Sequence, residues 1–266
     1  MSYETILYSV KDGVATITLN RPETRNALNQ TMYQELMKAL RETGRDRAVR
    51  AVILTGVGKG FCSGQDLMEL ETLRASGVSV SDGLRAGLNQ LILTMRTLEK
   101  PVIGALNGVA AGAGASLALA TDLRVASTEA SFVFAAFVQI GIIPDGGGTY
   151  LLPQLVGVNK ALELALLADA QNRVTVEQAL ALGIVNRVAP AESFMAEAEA
   201  LAGRLATMAT KAIGFTKRAM YQAADRSLAE ALEYEAQVQD GAFRTHDFVE
   251  GLQAFLQKRT PQFKGE

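Results

Sequence analysis

Three glycine-rich stretches set small residues and backbone donors beside polar side chains: Phe61-Cys-Ser-Gly-Gln-Asp-Leu67, Asn107-Gly-Val-Ala-Ala-Gly-Ala-Gly-Ala115 and Gly141-Ile-Ile-Pro-Asp-Gly-Gly-Gly-Thr149. The first two turns lead into helices. Such turns leave backbone N–H groups unbonded at a helix start, where partial positive charge collects. Two of these groups aimed at one point can hold a developing oxyanion. The same glycines also suit close helix packing, and the residues alone leave both uses open. Neither turn has the spacing of a dinucleotide-binding G-x-G-x-x-G or the Lys-Ser/Thr of a P-loop.

The third stretch holds one acidic residue, Asp145, between a proline and three glycines. A carboxylate on such a loop can act as a general base, or it can cap the helix that follows. The two roles have opposite electrostatic signatures. A buried base has a raised pKa and a capping carboxylate a lowered one. Asp66, Glu69 and Glu71 read as the acidic start of a helix, Asp122 as a helix end or bridge, and Arg25 by itself as a solvated loop charge. Cys62 reads as a small buried filler and His246 as structural or solvated.

Composition removes other chemistries. With one histidine and one cysteine, a His-based metal site, a Ser-His-Asp triad or a disulfide scaffold is hard to build, and no metal site is expected. The 26 Lys and Arg are matched by 28 Asp and Glu, and Trp is absent, so a nucleic-acid footprint is missing. At 48% apolar and 20% charged, the 266 residues suit a large globular core. The uncharged run from Pro101 to Thr121 imitates a membrane span, but Pro101, Asn107 and four glycines break it, so it reads as a buried strand, turn and helix. The first ten residues lack a basic start followed by a long apolar run, and a cytoplasmic protein without membrane contact is expected.

Strands alternating with helices must position these stretches. Residues 5–19 alternate as a hairpin around Lys11-Asp12-Gly13. Asn29 caps a helix carrying the stripe Met32, Leu36 and Leu40, with Tyr33 and Met37. Residues 51–55 form a strand covered on both faces, and 56–64 a glycine-rich loop. The scheme then repeats: a helix near 83–98, a strand at 101–105, a helix at 113–121, strands at 123–126 and 131–134, and a helix at 149–155. This is an α/β pattern with mostly parallel pairing. The expected division is an α/β core over residues 1–190 and a helical region over 191–266. Phe248, Leu252, Phe255 and Leu256 give the latter an apolar face that should pack on something.

Taken together, these motifs resemble the crotonase, or enoyl-CoA hydratase/isomerase, superfamily over essentially the whole chain. The residues that carry the likeness are Asn20-Arg-Pro22, Arg25-Asn-Ala-Leu28, Gly60-Phe-Cys-Ser-Gly-Gln-Asp-Leu67, Lys100 to Gly108, Gly112 to Ala118, Ile140 to Pro144, Gly147-Gly-Thr149 and Lys258 to Phe263. Cys62 to Leu67, Val109 to Ala115 and Ile143 to Pro153 are further similar to the ring 1,2-epoxyphenylacetyl-CoA isomerases of bacterial phenylacetate degradation.

The resemblance implies a crotonase-like spiral of β-β-α units, a C-terminal helical trimerisation region, homotrimers or dimers of trimers, and acyl-CoA thioester substrates. No cofactor is implied beyond the coenzyme A moiety of the substrate. By the family pattern the oxyanion N–H groups fall on Gln65 and Ala113. Arg25, Ala27, Ser63, Gly64, Gln65, Asp66 and Leu67 match the coenzyme A segment. Phe263 and Lys264 match C-terminal positions that often reach it across a subunit boundary. Where hydratases of the family carry two glutamates, this chain has Ser116 and Phe137. Neither suits the handling of water, and Gln139 nearby is no base. Asp145 remains, at the position of the acidic residue of several family isomerases. The implied activity is isomerisation through a thioester enolate, with Phe134, Phe137, Ile142 and Ile143 excluding water. A hydratase or related lyase, or a non-catalytic acyl-CoA-binding homologue, are the other expectations.

Overall fold

A computed structural model describes residues 3–266 of the chain. The chain opens with β1 (Ile6–Lys11) and β2 (Val14–Leu19), then runs through α1 (Gln30–Arg45), β3 (Ala51–Gly56) and β4 (Gly60–Cys62). Next come α2 (Leu67–Ala75), α3 (Val80–Ala86), α4 (Leu88–Thr97), β5 (Val102–Leu106), β6 (Val109–Ala111) and α5 (Ala113–Leu119). They lead to β7 (Leu123–Ser127), β8 (Ser131–Val133), α6 (Ala136–Gln139), α7 (Gly148–Val156) and α8 (Val158–Leu167). The last elements are β9 (Val174–Thr175), α9 (Val176–Ala181), β10 (Arg187–Ala189), α10 (Phe194–Ala206), α11 (Thr210–Ala223), α12 (Leu228–Phe243) and α13 (His246–Leu256).

The described strands form two sheets. One has the order β1-β2-β3-β5-β7-β10 and the other β4-β6-β8-β9. The β1/β2 and β8/β9 pairs are antiparallel and the other pairs parallel. Each turn of the spiral therefore lays one strand in the first sheet, the next in the second, and returns by helix, as β5-β6-α5 shows. This is the β-β-α spiral the sequence resemblance implied.

Period-two alternation sets the packing. On β3, Val52 and Leu54 face the main core with α1, α4 and α5, while Ala51 and Ile53 face the opposite side. That side is closed by Ala198, Leu201, Ala202 and Ala206 of α10. The helix α10 lies beyond residue 190 but covers the large sheet. The helix α1 starts where expected, with Asn29 accepting the Met32 N–H at 2.9 Å.

Five elements depart from the sequence expectations. Residues 60–62 and 109–111 pair as β4 and β6 rather than forming only loop and turn. The helix expected at 83–98 is broken at Gly87 into α3 and α4. The two-residue strand β9 and the three-residue strand β10 are too short for periodicity to reveal.

Beyond α10 the helices bury little within one chain. The helix α11 is anchored through Lys217, whose ammonium meets Asp122 at 2.8 Å and the carbonyls of Met95 and Lys100 at 3.0 and 3.2 Å. Asp122 also accepts the Val102 N–H and the Tyr221 hydroxyl, so it is the bridge the sequence allowed. On α12 and α13, Leu228, Leu232, Phe255 and Leu256 are exposed. No helix of the described residues is long and apolar enough to cross a membrane.

Candidate active site

A cavity of about 530 Å³ opens beyond the C-terminal ends of β4, β6 and β8. Open α/β sheets commonly bind ligands in this position, because the loops leaving parallel strands converge there. Its wall includes Ser63–Leu67 after β4, Gly112 and Ala113 after β6, and Val133, Ala136 and Phe137 after β8. The apolar lid is built by Leu70 and Leu73 of α2 and by Val80 and Leu84 of α3.

Two glycines bring the first two turns together. Gly64 has φ +100°, and a Cβ there would lie 2.8 Å from the Ala111 carbonyl and 3.3 Å from the Ala113 nitrogen. Only a glycine lets the Gln65 turn come so close to the start of α5. Gly114 permits the matching approach, since its Cβ would fall 2.2 Å from the Cys62 carbonyl oxygen. The close-packing role of the glycines and the assembly of backbone donors are thus one arrangement.

The direction of each donor follows from its neighbours. The Gly64 carbonyl accepts the Leu28 N–H at 2.8 Å, and the Asp66 N–H donates to the Leu28 carbonyl at 2.9 Å. In the trans peptide between Gly64 and Gln65, the Gln65 N–H points opposite to that carbonyl, away from Leu28. Ala113 is the first residue of α5, where an N–H has no intrahelical acceptor. The preceding Gly112 N–H is occupied by the Val133 carbonyl at 3.0 Å. Gln65 and Ala113 both line the cavity.

Asp145 shares this wall and is not a helix cap. The helix α7 is preceded by Gly147 and has no side-chain cap bond. The Asp145 main chain is held instead: its carbonyl accepts the Gly148 N–H at 2.9 Å and the Ser116 hydroxyl at 2.7 Å. Its Oδ1 is buried without a hydrogen-bond partner. Burial drives the carboxyl up to about 6, with its own backbone N–H pulling weakly the other way. Of the two alternatives the sequence left open, the raised carboxyl and the missing cap bond exclude the cap.

Two further carboxylates line the cavity, and both are engaged. Asp66 caps α2 through the N–H groups of Met68 and Glu69 and meets Arg21 at 2.9 Å. It is held below the ordinary carboxylate range because these partners outweigh its desolvation. Glu69 accepts the Gln30 N–H at 3.1 and 3.0 Å, tying α2 to α1. Asp145 alone of the three has a buried oxygen without a partner.

Of the residues matched to coenzyme A binding, Ala27, Ser63, Gly64, Gln65, Asp66 and Leu67 line the cavity. Arg25 stands just outside: its side chain is exposed, while its carbonyl accepts the Ser63 N–H at 3.0 Å. Phe263 and Lys264 lie at the far, N-terminal end of β3. There Arg50 donates to the Phe263 carbonyl at 3.3 Å, and Asp247 accepts the Lys264 and Gly265 N–H groups at 2.7 Å each. Within one chain they do not reach its own cavity.

The expected water-excluding set is corrected in part. Phe137 and Ile142 line the cavity, Phe134 lines a neighbouring one, and Ile143 is 77% exposed. Cys62 is a buried filler, its thiol donating to the Asn26 carbonyl at 3.1 Å and pushed up to about 12 by burial. His246 sits half exposed at the start of α13.

Sequence reasoning missed the role of Tyr33, and it had Asn26 only as part of the Arg25-Asn-Ala-Leu28 motif. Tyr33 was counted only in an apolar stripe, yet it is buried in the cavity wall and donates its hydroxyl to the Gln65 side chain. Burial, with the nearby Asp145 charge, raises its phenol further. A tyrosine on the buried face of a helix needs a polar partner, which was the available signal. Asn26 is fully buried and donates to the carbonyls of Val57, Gly60 and Phe61, fixing the base of the first turn.

Residues 9–266 match the family model described as enoyl-CoA hydratase/isomerase. The chain is 43% identical over 265 residues to the 1,2-epoxyphenylacetyl-CoA isomerase of Escherichia coli, covering 99% of each. It is 35% identical over 264 residues to the crotonyl-CoA hydratase of Syntrophomonas wolfei, again covering 99% of each. The crystal structure of an enoyl-CoA hydratase from a Polaromonas species superposes with a TM-score of 0.91 at 35% identity, covering 97% of this chain and 99% of that one.

Proposed function

The chain belongs to the enoyl-CoA hydratase/isomerase family, and on that premise we propose that it is an acyl-CoA isomerase working through a thioester enolate. The thioester carbonyl oxygen sits between the N–H groups of Gln65 and Ala113. As a proton leaves the carbon next to the carbonyl, charge builds on that oxygen. One donor of this kind contributes about 3 kcal/mol to the transition state, so a pair lowers the barrier to C–H ionisation substantially.

Asp145 is the base. Its carboxylate takes the proton from the carbon beside the carbonyl and, now protonated, returns it two carbons further on. The double bond moves by one position, the carboxylate is regenerated, and no water is consumed. A single carboxylate suffices for such a transfer on one face. The same group serves the rearrangement of a ring 1,2-epoxyphenylacetyl thioester, the substrate named for the Escherichia coli relative.

The observation that carries this reading is that Asp145, whose Oδ1 is buried and unpartnered, lines the same cavity as Gln65 and Ala113. A carboxyl raised to about 6 is ionised near neutral pH yet basic enough to accept a carbon-bound proton once an enolate is stabilised. Some relatives are named hydratases, but the residues here favour isomerisation. Ser116 donates its hydroxyl to the Asp145 carbonyl, and Phe137 is a hydrocarbon. Neither can deprotonate water. The exposed apolar residues of α12 and α13 support assembly with further copies of the chain as a trimer or a pair of trimers.

The test is product analysis. The protein is incubated separately with 2-enoyl-CoA, 3-enoyl-CoA and ring-epoxide phenylacetyl-CoA, and products are read by NMR. Shifted double bonds or rearranged ring without 3-hydroxyacyl-CoA support the reading. Rapid formation of the 3-hydroxy product overturns it in favour of a hydratase. Tight binding with no turnover of any thioester makes the chain a binding homologue.

A further inference from the structure

A second cavity of about 230 Å³ lies behind Phe137, on the far side of the Asp145 loop from the first. Its wall is largely hydrocarbon, from Leu119, Phe134, Leu152, Pro153, Val158 and Leu162. Two side-chain hydroxyls border it, those of Ser116 and Thr149, and that of Ser116 is already committed to the Asp145 carbonyl.

The two cavities are continuous in their lining. Gly112 and Phe137 belong to both. The Phe137 ring closes the space beside Gly112: its Cζ and Cε2 lie 3.8 and 3.9 Å from where a Cβ on Gly112 would stand. The Asp145 loop also touches both sides, with Asp145 in the first cavity and Pro144 and Gly148 in the second. Phe137 is carried by α6, a four-residue helix without a side-chain cap, flanked by the exposed Val138 and Ile140. The ring itself is buried, 7% exposed, so it stands as a packed partition between the two spaces.

From this arrangement we infer that the cavity behind Phe137 is a second acyl subsite, taking the distal hydrocarbon of a longer or ring-bearing acyl group. Phe137 sets access to it and is a specificity-determining residue. The inference rests on the acyl-CoA reading above. An acyl chain whose reacting carbons lie beside Asp145 continues past Phe137, and an apolar cavity is the favourable place for its far end. Each methylene buried there tightens binding by about fourfold.

The experiment measures Kd for saturated butyryl-, hexanoyl-, octanoyl- and decanoyl-CoA, which bind without reacting. It compares the full-length protein with Phe137→Ala and Ala165→Phe. Ala165 lines the second cavity but not the first, and a phenyl group there fills it. The wild-type protein is expected to gain affinity with chain length, Phe137→Ala to gain more per methylene, and Ala165→Phe to lose the gain beyond the shorter chains. Leu162→Trp, at an exposed position of the same wall, repeats the filling test should Ala165→Phe fail to fold. A chain-length profile that neither filling variant moves overturns the subsite. Failure of all four thioesters to bind removes the subsite together with the acyl-CoA reading. Binding without isomerisation leaves the subsite standing and removes only the isomerase.

Discussion

Relative to wild type, the Asp145→Asn protein should gain stability as pH rises from 4 to 7. Burial moves this carboxyl from its ordinary 3.8 to about 6. A shift of that size corresponds to at most about 3 kcal/mol of unfavourable ionisation in the folded state. The folded form therefore holds its proton more tightly than the unfolded one. The stability this lends is fully present below the unfolded pKa near 4, declines as pH rises, and is gone just above 6. Asparagine does not titrate, so the gap between variant and wild type opens between pH 4 and 6 and stays constant above that. In a chain of this size about 3 kcal/mol amounts to roughly 5 °C in Tm. The assay is thermal unfolding of both proteins without ligand from pH 4 to 9. Any constant cost of burying the amide cancels, because the pH dependence of the difference is what is read. A difference that is flat with pH, or one in which the variant loses stability relative to wild type as pH rises, would refute the claim that this carboxyl is buried and unpartnered.

Other outcomes follow from the same geometry. Gly64→Ala places a methyl group 2.8 Å from the Ala111 carbonyl and displaces the Gln65 donor; kcat should fall about 10²-fold while circular dichroism is retained. Ser116→Ala removes the hydroxyl that holds the Asp145 carbonyl, at a cost of about 1 kcal/mol by urea unfolding. The looser loop admits water, so the low-pH limb of kcat/KM, expected near 6 in the wild type, should move downward. Phe255→Glu charges a residue that is 82% exposed in one chain, and light scattering should show a smaller assembly if copies cover that face.

The elements most legible in the sequence were those with long, clean periodicity. Ala15, Ile17 and Leu19 alternate because one face of β2 is fully buried, and Met32, Leu36 and Leu40 mark the buried stripe of α1. The strands β4 (Gly-Phe-Cys) and β6 (Val-Ala-Ala) escaped because three residues are too few to show a period. Gly87 broke a continuous helical pattern because the chain turns there against the Tyr33 ring, 3.1 Å from where a Cβ would stand.

The site was legible as residue types but not as roles. Base or cap at Asp145 turned on where α7 begins and whether the carboxylate meets its amides, which is a matter of three-dimensional placement. Phe263 and Lys264 depend on where a folded-back tail is pinned by Asp247 and by Arg50, the latter 213 residues from Phe263 in sequence. Tyr33 combined an apolar position with a polar task, and the hydrophobic pattern displayed only the first.

The central claim is that one loop carboxylate carries a proton along a thioester enolate sheltered by two backbone donors. Its most direct test is the rate at which 3-hexenoyl-CoA becomes 2-hexenoyl-CoA with wild-type protein and with Asp145→Asn, both followed by NMR. The expected result is wild-type turnover and a loss of 10²- to 10⁴-fold in the variant, with thioester affinity retained. Undiminished turnover in the variant would contradict the account.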